Sequence, residues 1–194
     1  MGHPIVPRSF YGRAPEVVAP ELLNKVLVVG RRAARIVEVE AYRGTDDPAS
    51  HAFRGPTPRA AIMFGPPGRL YVYRSYGVHW CVNVVAHTHD VAGAVLVRAA
   101  EPVAGLGAIR AARPAARRDR DLLAGPGRLC AGLGIGPQHL GLDVASPRST
   151  VRVLDDGTPA PERPDIGPRV GISQAVDLPL RFSVPGHPHR SRSR

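Results

Sequence analysis

Between Tyr42 and Gly68 the chain has almost no hydrophobic period. Three turn-forming clusters follow one another there: Gly44-Thr45-Asp46-Asp47-Pro48, Gly55-Pro56-Thr57-Pro58 and Gly65-Pro66-Pro67-Gly68. A stretch this long without regular structure, inside a compact domain, is usually functional. The segments around it read as strands. Lys25 to Val29 and Arg35 to Ala41 are β-rich runs joined by Gly30-Arg31-Arg32, which predicts a hairpin. Strands resume at Leu70 to Tyr73, Cys81 to Ala86 and Ala94 to Ala99, giving an antiparallel sheet, and Val151 to Leu154 adds another. Short helices are expected at Ala14 to Leu23, where Pro20 costs a hydrogen bond or kinks the helix, and at Gly127 to Leu133. Arg110 to Arg120 reads as a basic connection, Asp155 to Pro168 as a proline-rich loop, and Arg169 to Val184 as a return to the core.

With 194 residues there is room for one domain. Glycine and proline, 21 of each, make up about a fifth of the chain, yet 43% is hydrophobic and no glycine period runs through it. Collagen-like and wholly disordered chains are thereby excluded. The expected fold is a single α+β domain, residues 1–186, with a curved antiparallel sheet, short helices and long loops. Residues 187–194 alternate basic and small residues and are expected to form a disordered basic tail.

Twenty-six basic residues against 16 acidic ones leave a formal charge of +10, and Lys25 is the only lysine. Arginine forks onto phosphate oxygens and stacks on bases, so nucleic acid is the leading partner. An acidic membrane surface, or solubility alone, is the blander alternative. Cys81 and Cys130 stand apart in apolar stretches and read as buried reduced thiols. The opening residues carry no run of signal-peptide length and no stretch is long enough to span a membrane, so a cytoplasmic protein is expected.

Four of the five tyrosines fall between residues 42 and 76, beside Glu38 and Glu40 and ahead of Asn83 and Arg98. On the second β-run Ile36, Glu38 and Glu40 share one face, while Val37, Val39 and Ala41 share the other. That charged face could be merely solvated, and spacing does not choose between the two carboxylates as a base. For Tyr71 and Tyr73 a half-buried strand with wet hydroxyls is the competing reading. His87-Thr88-His89-Asp90 could join His79 in a metal site, but no zinc spacing accompanies it and a hairpin turn is the better reading. Gly125-Pro126-Gly127-Arg128-Leu129 could cradle phosphate at a helix start, although it is not a Walker loop.

Taken together these stretches resemble the alkyladenine (3-methyladenine) DNA glycosylase family, as a bacterial member. The matching segments are Arg35-Ile-Val-Glu-Val-Glu-Ala-Tyr42, Asp47-Pro-Ala-Ser-His51, Met63-Phe-Gly-Pro-Pro-Gly68, Leu70-Tyr-Val-Tyr-Arg-Ser-Tyr-Gly77, Cys81-Val-Asn83, Val95-Leu-Val-Arg-Ala-Ala-Glu-Pro102 and Gly125-Pro-Gly-Arg-Leu-Cys130. The resemblance runs from Ser9 to about Val184. It implies a monomeric base-excision repair enzyme of the nucleoid, free of metal and organic cofactor, that flips damaged purines out of double-stranded DNA. By resemblance Glu40 activates the attacking water and Arg98 helps to hold it. Tyr42, His51 and Tyr73 line the base pocket, where aromatic faces attract a cationic alkylated purine. Asn83 disfavours the exocyclic amine of guanine, and Tyr76 fills the gap left in the duplex. 3-Methyladenine, 7-methylguanine, hypoxanthine and etheno adducts stay unranked.

Apart from the N-terminus, only Lys25 offers the amine that lyase chemistry requires, and it stands away from the cluster, so hydrolysis by water is favoured. Asn24, Ala60 and Leu180 depart from the family pattern, where Gly, Asn and Trp are usual, and they touch packing or backbone contacts. Two rival functions use the same features. A damaged-DNA-binding protein without catalysis shares every basic and aromatic residue, and a nuclease could use Glu38, Glu40, Asp46 and Asp47 as metal ligands.

Overall fold

The two β-rich runs ahead of the long loop pair as predicted, and the second becomes the spine of the sheet. In the computed structural model, which describes residues 2–88 and 91–191, β1 (Val26–Val29) turns at Gly30 into β2 (Arg32–Tyr42). One edge of β2 pairs with β5 (Ala94–Ala104) along its length; the other pairs with β1 and then with β8 (Arg181–Ser183). The sheet order is β3 (Leu70–Ser75), β4 (His79–Val85), β5, β2, β1, β6 (Val151–Leu154), every pair antiparallel, with β7 (Asp165–Gly167) against β8. Register shifts flank Glu38 on β2, between Ile36 and Glu38 and between Glu38 and Val39. Bulges of this kind sharpen strand twist and curl the sheet. The α+β architecture with a curved antiparallel sheet is therefore the one expected.

Among the described residues there are four α-helices, of which the last three pack on the sheet. After α1 (Arg8–Tyr11), α2 (Pro15–Leu22) buries Pro15, Val18, Ala19 and Leu22, an i, i+3, i+4, i+7 stripe, and tolerates Pro20 within it. α3 (Leu106–Ala112) occupies the start of what reads as a basic connection; Gly107 and Arg110 hide its period. α4 (Pro126–Leu133) opens with proline at its first position and stops at Gly134, at φ 76°. A Cβ at Gly127 would lie 2.9 Å from the His79 ring, so only glycine lets α4 start flush against β4.

The three departures find places in this scaffold. Asn24 sits at φ 68°, the left-handed region that glycine enters freely and asparagine tolerates, and its amide donates to the Pro159 carbonyl at 2.7 Å. Ala60 is fully buried, and Leu180 belongs to the core while its carbonyl accepts the Ala41 N–H at 2.8 Å. Both cysteines are free and buried. Among the described residues no helix is long and apolar enough to cross a membrane.

The tail differs from expectation. His187 and His189 lie 3.5 and 3.9 Å from Glu101, Arg190 pairs with Asp165, and Ser191 hydrogen-bonds Glu38. Carboxylates on three separate segments hold residues 187–191 in place, a cause that local composition does not reveal; residues 192–194 lie outside the described residues. Of the expected turn at 87–90, His89 and Asp90 also lie outside them. His87 is buried, with Nε2 2.8 Å from the Gly65 carbonyl.

Candidate active site

A cavity of about 1060 Å³ opens beside β3, β4 and β5, lined by Tyr42, His51, Tyr71, Tyr73, Tyr76, Asn83 and Arg98 among others. Sequence positions 42 to 98 thus converge on one site. Glu40 is the exception. It is fully buried and stands one layer behind the lining, touching Tyr42, Arg98 and Val170, which do line the cavity.

Neither carboxylate of β2 is solvated, because both faces of the strand are covered from Ile36 to Ala41. Their partners tell them apart. Glu40 Oε1 accepts from the Val170 N–H at 2.8 Å and faces Arg98 Nη1 at 3.1 Å, while Oε2 accepts from the Tyr42 hydroxyl at 2.9 Å. An ionised carboxylate offers about four acceptor sites, so one on Oε2 remains for a water proton. Glu38 is saturated. Its Oε1 receives Arg98 Nε at 3.3 Å, Arg181 Nη1 at 3.2 Å and the Ser191 hydroxyl at 2.9 Å, and its Oε2 receives the Ser191 N–H at 2.6 Å. Burial holds the Glu40 carboxyl above its ordinary value, while Arg98, the Val170 N–H and Tyr42 pull it partly back. A base raised toward working pH is the better proton acceptor.

The aromatic wall is ordered by its own contacts. Tyr71 and Tyr73 stack with centroids 5.3 Å apart, and the His51 ring stands edge-on to Tyr73 at 4.6 Å. His51 Nδ1 shares a hydrogen bond of 2.8 Å with the Tyr71 hydroxyl. Burial, with the nearby Arg59 charge, pulls the His51 pKa down to about 4, so its ring is neutral at pH 7 and does not repel a cation. Asn83 is buried, and its amide N–H donates to the Tyr71 carbonyl at 3.2 Å, which fixes the amide at the cavity wall. Tyr76 stands at the tip of the β3–β4 hairpin, 86% exposed and at φ 48°. An L-residue there costs of order 1–3 kcal/mol.

Sequence reading missed an anchor. Arg169 and Asp47 form a fully buried ion pair, with Arg169 Nη2 2.8 Å from Asp47 Oδ1, and Arg169 donates to the Ala41 carbonyl at 3.0 Å. Its guanidinium lies 4.6 Å from the Tyr42 ring centroid. The only signal was an arginine at the start of the segment read as returning to the core. Gly125, Pro126, Gly127 and Arg128 line the cavity, as do Arg59, Arg74 and Arg113.

Three of the four carboxylates considered for a metal nuclease are otherwise engaged, Glu38 and Glu40 by Arg98 and Asp47 by Arg169, and Asp46 is exposed. Among the described residues no group of three or more His, Cys, Asp or Glu side chains is placed to hold a metal. Lys25 pairs with Asp155 at 2.7 Å and does not line the cavity.

Comparison with known proteins places this geometry in context. The family described as methylpurine-DNA glycosylase (MPG) matches residues 9–188. A protein of Burkholderia cenocepacia (strain HI2424), named "Putative 3-methyladenine DNA glycosylase", is 52% identical over 184 residues, 94% of this chain and 89% of its own length. Proteins of the same name from Nitrobacter winogradskyi and Frankia casuarinae are 45% and 48% identical, over 96% and 92% of this chain and 86% and 88% of their own lengths.

Proposed function

The chain belongs to the methylpurine-DNA glycosylase family and is a DNA glycosylase of base-excision repair, and on that footing we propose that it hydrolyses the N-glycosidic bond of flipped, damaged purines with a water activated by Glu40. The observation that carries this reading is buried Glu40, held by Arg98, Tyr42 and the Val170 N–H, three groups that themselves line the aromatic cavity. Glu40 takes a proton from the water as its oxygen bonds to C1′ of the deoxyribose. The bond from C1′ to the purine breaks, and its electron pair leaves with the base. Arg98 orients Glu40 and faces the cavity, so it can hold the same water. Tyr42, His51 and Tyr73 receive the base, and an alkylated purine gains from their π faces because it carries positive charge. Tyr76 enters the stack where the nucleotide has left. Incubation with duplexes each bearing one lesion, in chelator, followed by alkali, tests this: abasic sites confirm hydrolysis, whereas binding without base release identifies a non-catalytic protein.

Asn83 acts as the filter against guanine. Its amide is tethered to Tyr71 and cannot swing aside, so a 2-amino group at the purine's minor-groove edge meets it without room. Asn83→Ala should raise guanine excision relative to hypoxanthine by roughly tenfold to a hundredfold. Single-turnover rates on both duplexes, with a melting curve, check this; an unchanged ratio in a well-folded variant removes the filter and leaves a strand contact.

Arg59, Arg74, Arg113 and Arg128 at the cavity supply phosphate contacts. Four such contacts predict a log–log slope of about −4 for affinity against salt, or roughly a hundredfold loss from 50 to 200 mM. Arg128→Gln should flatten the slope by about one. A flat dependence in the wild type would remove duplex DNA as the partner.

A further inference from the structure

Arg98 is shared between two buried carboxylates, with Nε on Glu38 and Nη1 on Glu40. Because a guanidinium is planar and rigid, whatever fixes Nε also fixes Nη1. Glu38 in turn is held by Ser191, from 153 residues further along the chain, through both its N–H and its hydroxyl, and the hydroxyl also accepts from Arg98 Nη2 at 3.4 Å. The family match ends at residue 188, three residues before this contact. We propose that Ser191 is a positioning residue: by filling acceptor sites on Glu38 it sets Arg98, and through Arg98 the carboxylate of Glu40.

Without Ser191, buried Glu38 loses two hydrogen bonds, a loss that rotation or entering water relieves by moving the arginine it shares. The segment has its own moorings, the Arg190–Asp165 pair and the histidines beside Glu101, so Ser191 is presented rather than wandering. The functional half of the proposal rests on Glu40 as base; the structural half does not. The titratable groups facing Glu40 are Glu38 and Tyr42 from β2, Arg98 from β5, Tyr73 from β3 and Cys81 from β4. Of these, Glu38 and Arg98 touch Ser191.

The test uses the full chain and three variants. Ser191→Pro removes both donors, Ser191→Thr keeps both, and Arg192→Gln with Arg194→Gln removes charge while keeping Ser191. Each is assayed for single-turnover release of hypoxanthine across pH, for melting, and for glutamate carboxyl titration by 13C NMR. Ser191→Pro should slow release about tenfold to a hundredfold. It should also move the acid limb to higher pH, because Arg98 pulls Glu40 down less strongly. Ser191→Thr should behave as wild type, and the arginine variant should lose only duplex affinity. If Ser191→Pro fails to fold, Ser191→Ala should show a smaller shift in the same direction. Unchanged limbs and titrations in a folded variant, or a uniform loss of rate with the limb in place, overturn the proposal. A wild type that releases no base overturns the glycosylase chemistry instead, and the carboxyl titration still decides what Ser191 does.

Discussion

Glu40→Gln slows single-turnover base release by about a hundredfold to ten-thousandfold and leaves lesion binding nearly intact. The amide keeps the shape of the carboxylate. Its oxygen can face the Val170 N–H and Arg98, while its NH2 faces Tyr42, whose hydroxyl can turn to accept. What is lost is the basicity. Glu38→Gln should do much less to the chemistry, since four protein donors already engage that carboxylate, and its effect should come through Arg98 and stability. In the wild type the acid limb of the rate should lie above the ordinary glutamate value of about 4.3, because burial raises the Glu40 pKa and only the ionised form accepts a proton. Equal losses in the two variants, or none in either, would dismiss Glu40 as the base.

Asp47→Ala has the largest expected effect on stability. It leaves the Arg169 guanidinium buried with the Ala41 carbonyl and the Tyr42 ring as its remaining partners, a loss of about 3–5 kcal/mol. Urea unfolding measures it, and a loss below about 1 kcal/mol would show that the site relaxes or hydrates freely. Asp47 also accepts the backbone N–H of Arg43 and Ala49, each at 3.1 Å, so the mutation should unfasten the start of the long loop. Burial alone would raise the Asp47 pKa, but Arg169 and those N–H groups outweigh it and lower it. Its stabilisation is therefore complete above the unfolded-state value and disappears as pH falls through the lower folded value. Asp47→Asn should remove that part of the acid sensitivity.

These two carboxylates mark what sequence makes legible. Strand runs, two helices and the tyrosine cluster are written in local periodicity and turn chemistry, whereas Glu40, Arg98 and the aromatic wall are singled out only by resemblance to a known family. Burial of β2 is not written there. A strand alternating apolar and acidic residues ordinarily has one wet face, and here it does not, because Arg98 and Arg181 arrive from 60 and 143 positions away. The same holds for Arg169, which meets Asp47 across 122 residues, and for Ser191. Long-range charge pairing leaves no period for a sequence window to detect. α3 was hidden for a different reason, as Gly107 and Arg110 break the apolar stripe of a seven-residue helix.

Tyr76 has a consequence for how damage is found. Its ring already projects into solvent from a left-handed backbone at the tip of a two-strand hairpin, so the intercalating role proposed for it would require no backbone rearrangement to expose the ring. A wedge carried on a preset backbone would press on every base step alike, and the yield would then depend on how firmly each step is stacked. Weakened steps would give way first, which would make the local mechanics of the duplex the first thing sampled, before any atom of the lesion reached the cavity.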